Sequence, residues 1–246
     1  MSLSIITATL NSANTIERTL ASIDAMVDAG TTPVERLVID GGSTDGTLEL
    51  IRSKHPGTRI IAQTEKGLYP ALNEGVRKAT GDYIMFVHSD DELSLLDLTR
   101  IVLAPDRVTY GGVEFIDAAG AVLYRRRAPC FFKNCLAQYP FIFHPNAIYP
   151  RRLLLKYPFD ADKYGLAADM WQINDFRHEV SFVATNAINY RFRIHPASST
   201  VMAKERKPAL FWLWRVYLFA FFEDHRIARI INAFRGKRAW SLSPAA

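Results

Sequence analysis

The stretch YIMFVHSDDEL, residues 83–93, places three acids directly after a mostly apolar run. The apolar part, YIMFVH (83–88), has the length and composition of a buried strand. Asp90 and Asp91 follow it at once, although adjacent like charges repel one another. Two explanations are open. The acids lie in a solvated turn that caps a helix beginning near Leu93, or they surround a cation.

The segments that precede this stretch alternate between strand-like and helix-like patterns. Strands are predicted at 3–9, 34–40, 59–63 and 83–88, and helices at 11–27, 47–54 and 69–80. Such alternation is typical of an α/β fold in which helices cover both faces of a parallel sheet. Ligands of open sheets bind beyond the carboxyl ends of the strands. Asp40 and the pair Asp90 and Asp91 all stand at such ends, so the sequence predicts that they share one rim.

The second half of the chain is less regular. Strands are predicted at 107–117 and 121–127, a helix at 164–178, and one or two strands within 179–194; residues 141–157 are expected to form a loop, a short strand and a turn. The 246 residues, of which 49% are hydrophobic, suit one globular domain. Cys130 and Cys135 are too few for a disulfide framework, and we expect both to be reduced.

Positive charge is concentrated at the C-terminus. Nine Lys or Arg residues and three acids follow residue 200, while the whole chain carries a formal charge of +5. Within this tail, ALFWLWRVYLFAFF (209–222) is apolar but shorter than the ~20 residues of a membrane-spanning helix. An amphipathic helix at an anionic membrane surface is predicted over 204–238, with packing on the core or on a partner subunit as the alternative. Nucleic acid fits poorly, because the body lacks a basic, aromatic platform.

Four segments carry a resemblance to a known family. They are SIITATLN (4–11), VIDGGSTDGT (38–47), EKGLYPALNEGVRKATGDYIMFVHSDDEL (65–93) and AAD (167–169). In this order they resemble family 2 glycosyltransferases of the GT-A fold, which build bacterial surface polysaccharides. The resemblance implies a GT-A domain with a Rossmann-like, mostly parallel sheet over residues 1–200, and it does not extend to the basic, aromatic tail over 201–246. It also implies inverting transfer of a sugar from a nucleotide diphospho-sugar to an acceptor hydroxyl.

The acids after the fourth strand suit this chemistry. A diphosphate leaving group gains negative charge, which a hard divalent cation with oxygen ligands stabilises. By the resemblance, Asp91 binds Mg²⁺ or Mn²⁺, and Asp90 binds the ribose or the same metal. His88 replaces an acid that the family often has two places before this pair, and we expect it to be structural.

The resemblance also assigns the nucleotide pocket. Asp40 recognises the base and Thr9 lines the same pocket. A carboxylate can accept a hydrogen bond from a pyrimidine imide, which favours a UDP-sugar. The alternative for Asp40 is a turn-forming role before Gly41. Lys66 is a candidate nucleotide contact, whereas Asp45 is expected to cap a helix.

The acceptor hydroxyl needs a base, for which the family uses an acid pair at the start of a later helix. Here the first acid of that pair is Ala168, and Asp169 remains as the candidate base. A charge that favours the helix N-terminus is the alternative for Asp169. His144 and His195 are candidate contacts of the diphosphate or the acceptor, although a lone histidine is more often structural.

Two other functions remain open. A sugar-phosphate nucleotidyltransferase would carry a basic, glycine-rich loop after the first strand, and TLNSANT (9–15) has no Lys or Arg. A non-catalytic membrane-bound scaffold would have the same fold without turnover. A receiver-type signalling domain does not fit, because its acid pair follows the first strand. The N-terminus lacks the pattern of a signal peptide. The expected location is therefore the cytoplasm. The tail adds the expectation of binding to the inner face of the membrane, with a lipid-linked saccharide as acceptor.

Overall fold

A computed structural model describes residues 2–28, 33–128 and 142–195. The described residues up to Ile194 belong to one compact unit. His195 belongs to a second unit, and it is the only residue of that unit within the described ranges. Cys130, Cys135 and the expected tail helix also lie outside them. Within the described ranges, no helix has the length and hydropathy to cross a membrane.

The described residues of this unit form nine strands and six α-helices. The strands are β1 (Leu3–Thr9), β2 (Val34–Asp40), β3 (Arg59–Ala62), β4 (Tyr83–Phe86), β5 (Glu92–Leu96), β6 (Arg107–Ile116), β7 (Val122–Arg126), β8 (Ala147–Pro150) and β9 (Ser181–Arg193). The helices are α1 (Ile16–Asp28), α2 (Thr47–Lys54), α3 (Leu68–Lys78), α4 (Arg151–Lys156), α5 (Ala161–Tyr164) and α6 (Ala168–Phe176).

The strands form one sheet in the order β3-β2-β1-β4-β8-β6-β9-β5, and β7 pairs with the free edge of β6. Strands β1 to β4 are mutually parallel, β8 runs against both β4 and β6, and β9 is parallel to β6. The carboxyl ends of β1, β2, β4, β6 and β9 therefore meet at one rim of the sheet. The predicted α/β class with a mostly parallel sheet is confirmed.

Successive side chains of a strand point to opposite sides of the sheet, so each face has its own apolar core. Helices cover both faces. Ile84 and Phe86 of β4 join one core, in which α3, α4 and α6 contribute residues such as Leu72, Leu153 and Phe176. Met85 joins the other core with Ile16 and Leu20 of α1 and Ile51 of α2. The sheet that carries the rim is thus packed against helices on both faces.

Three elements differ from the sequence prediction. The segment after the acids is not a helix: Glu92–Leu96 is strand β5, which pairs with β9. The turn expected near residue 155 is helix α4. The helix predicted over 164–178 is broken, since a 3₁₀ turn at Gly165–Ala167 separates α5 from α6. Gly165, at φ 55°, permits that break.

Candidate active site

Thr9 and Asp40 are register partners at the ends of β1 and β2, and β4 lies on the other side of β1. The acids that follow β4 are therefore one strand away from Asp40. Both Thr9 and Asp40 are buried, whereas Asp90 is partly exposed. The predicted convergence of strand-end acids on a single rim is thus present.

The loops after β1 and β2 are joined by side-chain to backbone hydrogen bonds. The amide of Asn11 donates to Ser43 Oγ at 2.9 Å, and the amide of Thr44 donates to Asn11 Oδ1 at 2.9 Å. Asp45 accepts from the amide of Ala13 at 2.9 Å and from that of Thr47 at 3.1 Å. Asp45 thus organises the start of α2, and the two loops form one wall of the rim.

The Asp40 carboxylate organises the loop that follows it. It accepts from the amides of Gly42 at 2.9 Å and Ser43 at 3.0 Å, and from the Ser43 hydroxyl at 2.5 Å. Gly42, at φ 95°, makes this tight turn possible. The turn-forming role considered for Asp40 is present.

Asp91 is fully buried and is held by strand β9. One of its oxygens accepts from the Tyr190 hydroxyl and the other from the Arg193 amide, each at 2.7 Å. The Tyr190 hydroxyl in turn accepts from the amide of His88 at 3.1 Å. Burial and the neighbouring charge of Asp90 raise the pKa of Asp91 well above its usual value. This carboxyl group is therefore an internal anchor of the acidic loop.

The Arg193 side chain is buried and joins the acidic loop to the β6–β7 turn. Its Nε donates to the carbonyl of Asp90 at 2.9 Å, and Nη1 donates to the carbonyls of Asp117 and Ala118 at 3.0 Å. Its Nη2 donates to the Glu92 carboxylate. Sequence reasoning missed Arg193 and Tyr190. The sequence feature that could have indicated Arg193 is an arginine at the end of a predicted strand, where its side chain can reach the acids at the rim.

Asp90 is the partly exposed acid of the pair at the rim. Burial lowers the pKa of His88, two residues earlier, so its imidazole is neutral. Within the described ranges, no group of three or more His, Cys, Asp or Glu side chains is arranged to hold a metal. A cation bound here would therefore take most of its ligands from diphosphate oxygens and water. Mg²⁺ commonly binds with one or two carboxylates in this way.

His144 lies in an aromatic box beneath the rim. Its ring stacks on Phe86 at a centroid distance of 4.9 Å and meets Phe159 edge-on at 5.1 Å. Its Nε2 is buried without a hydrogen-bond partner. Burial, with a smaller contribution from His88, lowers the pKa of His144 to about 3. The residue is a neutral imidazole with one unused nitrogen.

Asp169 stands in the first turn of α6 and contacts the first turn of α3. Its Oδ1 accepts from the amide of Met170 at 2.8 Å and from the Tyr69 hydroxyl at 3.4 Å. Because α3 follows β3, its first turn lies at the carboxyl rim, and so does Asp169. Burial raises the pKa of Asp169 to about 6. This value suits a group that takes up a proton near neutral pH.

Lys66 and His195 are the two remaining predicted contacts of the nucleotide-sugar or the acceptor. Lys66 is exposed in the loop before α3, close in sequence to Tyr69 at the rim. His195 is the last described residue, two positions beyond β9, and its functional role remains a prediction.

Comparison with known proteins identifies the family. The family model described as glycosyl transferase family 2 matches residues 4–156, more than half of the chain. The chain belongs to glycosyl transferase family 2. It is 36% identical over 120 residues to a PGL/p-HBAD biosynthesis glycosyltransferase of Mycobacterium bovis, a match covering 45% of this chain and 46% of that protein. The chain thus spans about half the length of the curated relatives it matches first.

Solved structures support the GT-A fold of this family 2 member. The mannosyltransferase PcManGT from Pyrobaculum calidifontis, in complex with GDP-Man and Mn²⁺, matches with a TM-score of 0.58 and 21% identity, over 83% of this chain and 60% of that one. S. aureus TarS 1-349 in complex with UDP matches with a TM-score of 0.54 and 21% identity, over 80% and 61%.

Proposed function

We propose that this family 2 member transfers a sugar from a nucleotide diphospho-sugar, UDP-linked, to an acceptor hydroxyl with inversion at the anomeric carbon. The observation that carries the proposal is the shared rim. Thr9 and Asp40 end neighbouring strands there, and Asp90 lies in the loop after β4. Asp169 contacts Tyr69 at the start of α3. Thr9 Oγ1 is buried without a hydrogen-bond partner, which supports a polar ligand next to Asp40.

The burial of Asp91 changes the proposed division of roles between the two aspartates. The Asp91 side chain is fully buried and each of its oxygens accepts a hydrogen bond from β9, whereas Asp90 is partly exposed. We therefore move the proposed cation contact from Asp91 to Asp90 and keep His88 as a structural residue. Mg²⁺ or Mn²⁺ held there would neutralise the charge that develops on the departing diphosphate.

The proposed base is Asp169. As the acceptor oxygen forms its bond to the anomeric carbon, the bond from that carbon to the diphosphate oxygen breaks and the carboxylate takes the acceptor proton. Attack opposite the leaving group inverts the anomeric centre. The residues that hold the nucleotide are proposed to be Thr9, Asp40 and Lys66, while His144 is proposed to contact the diphosphate or the acceptor through Nε2.

The acceptor proposal rests on the sequence of the C-terminal tail. Its aromatic and basic residues suit an anionic membrane surface, so we propose a lipid-linked saccharide acceptor at the cytoplasmic face. Flotation of the whole chain and of a chain without residues 204–246 on anionic vesicles tests this part. Equal binding of the two chains would contradict the membrane role.

One experiment tests the central proposal. The purified chain is incubated with UDP- and GDP-sugars and either Mn²⁺ or Mg²⁺, and released nucleotide and the anomeric proton of the product are followed by NMR. We expect cation-dependent release of UDP and a product of inverted configuration. Metal-dependent nucleotide binding without turnover over a broad acceptor panel would favour the scaffold. Release of inorganic diphosphate from a nucleoside triphosphate and a sugar phosphate would favour the nucleotidyltransferase.

A further inference from the structure

One face of α3 connects the nucleotide side of the rim to the candidate base. Tyr69 and Asn73 stand four residues apart and so share a face of this helix. Asn73 Oδ1 accepts from the amide of Phe159 at 2.9 Å, and its Nδ2 donates to the carbonyl of the same residue at 2.8 Å. A single side chain thus clamps the backbone of the segment that leads into α5 and α6.

The Tyr69 ring is fixed by the residue that Asn73 clamps. The rings of Tyr69 and Phe159 have centroids 5.3 Å apart, and Tyr69 is almost fully buried. With the ring held, the phenol oxygen has little freedom, and it donates to Asp169 Oδ1 at 3.4 Å. The same oxygen of Asp169 accepts from the amide of Met170, so both donors converge on Oδ1.

We propose that Tyr69 is a positioning residue for Asp169, whose hydroxyl fixes the orientation of the carboxylate for proton transfer from the acceptor. This inference rests on the proposed function, in which Asp169 is the base. Two donors on Oδ1 restrict rotation of the carboxylate, and they leave Oδ2 as the oxygen that meets the acceptor proton. Tyr69 itself stays protonated, because burial and then the charge of Asp169 raise its pKa.

The two donors also affect the pKa of the proposed base, Asp169. The Tyr69 hydroxyl faces Asp169 from α3 and the Met170 amide faces it from α6, and each lowers the pKa of Asp169 against the larger effect of burial. Removal of the hydroxyl should therefore raise the pKa further. The enzyme would then need a higher pH to hold its base ionised.

The test uses the whole chain with Tyr69→Phe, and Tyr157→Phe as a matched control. Both changes delete one phenol hydroxyl that donates to a carboxylate, but Tyr157 donates to Glu179, which the mechanism does not use. We expect Tyr69→Phe to move the acid limb of kcat/KM up by about half a pH unit to one unit and to lower kcat about tenfold. KM for the donor and the thermal midpoint should stay close to the wild-type values.

A double variant separates this inference from the proposed function. If Tyr69 acts through Asp169, adding Tyr69→Phe to Asp169→Asn should not lower the residual rate further. An unchanged acid limb in Tyr69→Phe, or equal effects in both backgrounds, would overturn the positioning role. Full activity of Asp169→Asn would instead overturn the proposed base.

Discussion

The Tyr190 hydroxyl bridges the amide of His88 and the carboxyl group of Asp91, two groups that lie about a hundred positions earlier in the chain. It accepts from the first at 3.1 Å and donates to the second at 2.7 Å. A strand from the end of the domain therefore shapes the loop that carries the candidate cation ligand. The geometry of this loop therefore depends on contacts made by a distant strand.

Replacement of this tyrosine should loosen the acidic loop. Tyr190→Phe leaves a buried amide and a buried carboxyl group without their partner, at a cost of ~1–3 kcal/mol in unfolding free energy. Urea denaturation measures this loss, and calorimetric titration with UDP and Mn²⁺ should show weaker binding. Tyr124→Phe, at a half-exposed ring, is the control and should change neither quantity. Unchanged UDP binding by a destabilised Tyr190→Phe protein would contradict the link.

The two adjacent aspartates should respond differently to the same substitution. Asp90→Asn should abolish Mn²⁺-dependent UDP binding with little change in stability, because Asp90 is partly exposed. Asp91→Asn should lower the unfolding free energy by ~1–3 kcal/mol, since an amide cannot accept hydrogen bonds at both positions. Calorimetric titration and urea denaturation of both variants provide the measurement. Loss of Mn²⁺ binding in a stably folded Asp91→Asn protein, with binding kept in Asp90→Asn, would return the cation to Asp91.

Activity should depend on pH through Asp169. Burial raises the pKa of this carboxyl group to about 6, so the base is protonated and inactive below that pH and ionised above it. We expect kcat/KM to rise with pH and to level off above about pH 7. Asp169→Asn should lower kcat about 10²- to 10⁴-fold, the usual contribution of a general base. Asp175→Asn, at an exposed position of the same helix, is the control. The titration of Asp169 should fall between about pH 5 and pH 7. A wild-type profile of kcat/KM that stays flat over this range would exclude Asp169 as the base.

Arg193 should tolerate no substitution. It is buried among the carbonyls of the rim and the Glu92 carboxylate, and lysine cannot reproduce its planar set of donors. Arg193→Lys keeps the positive charge but loses donors to these carbonyls, so it should lower the unfolding free energy by ~1–3 kcal/mol, the cost of a buried acceptor left without its partner. Arg126→Lys on exposed strand β7 serves as the control in the same denaturation series. Equal stability of the two variants would show that Arg193 is dispensable.

The sequence by itself determined the alternating elements from β1 to β4 and the acids at their ends. Apolar periodicity and turn residues are local signals, so the bounds of β1, β2 and α2 follow directly from them. The order of these parallel strands then places Thr9 and Asp40 at one rim. Asp169 was selected in another way, because AAD (167–169) resembles the family's acid pair at a helix start, and its role as the base stays a prediction.

Tertiary structure decided which acid of the pair reaches the rim. Nothing in the local pattern of Asp90 and Asp91 distinguishes them; the difference arises because Tyr190 and Arg193 of β9 bury one of them. The same strand turns the segment after Asp91 into β5, where sequence reasoning expected the start of a helix. Contacts between positions a hundred residues apart leave no periodic signal in the chain, and only folding brings their side chains together.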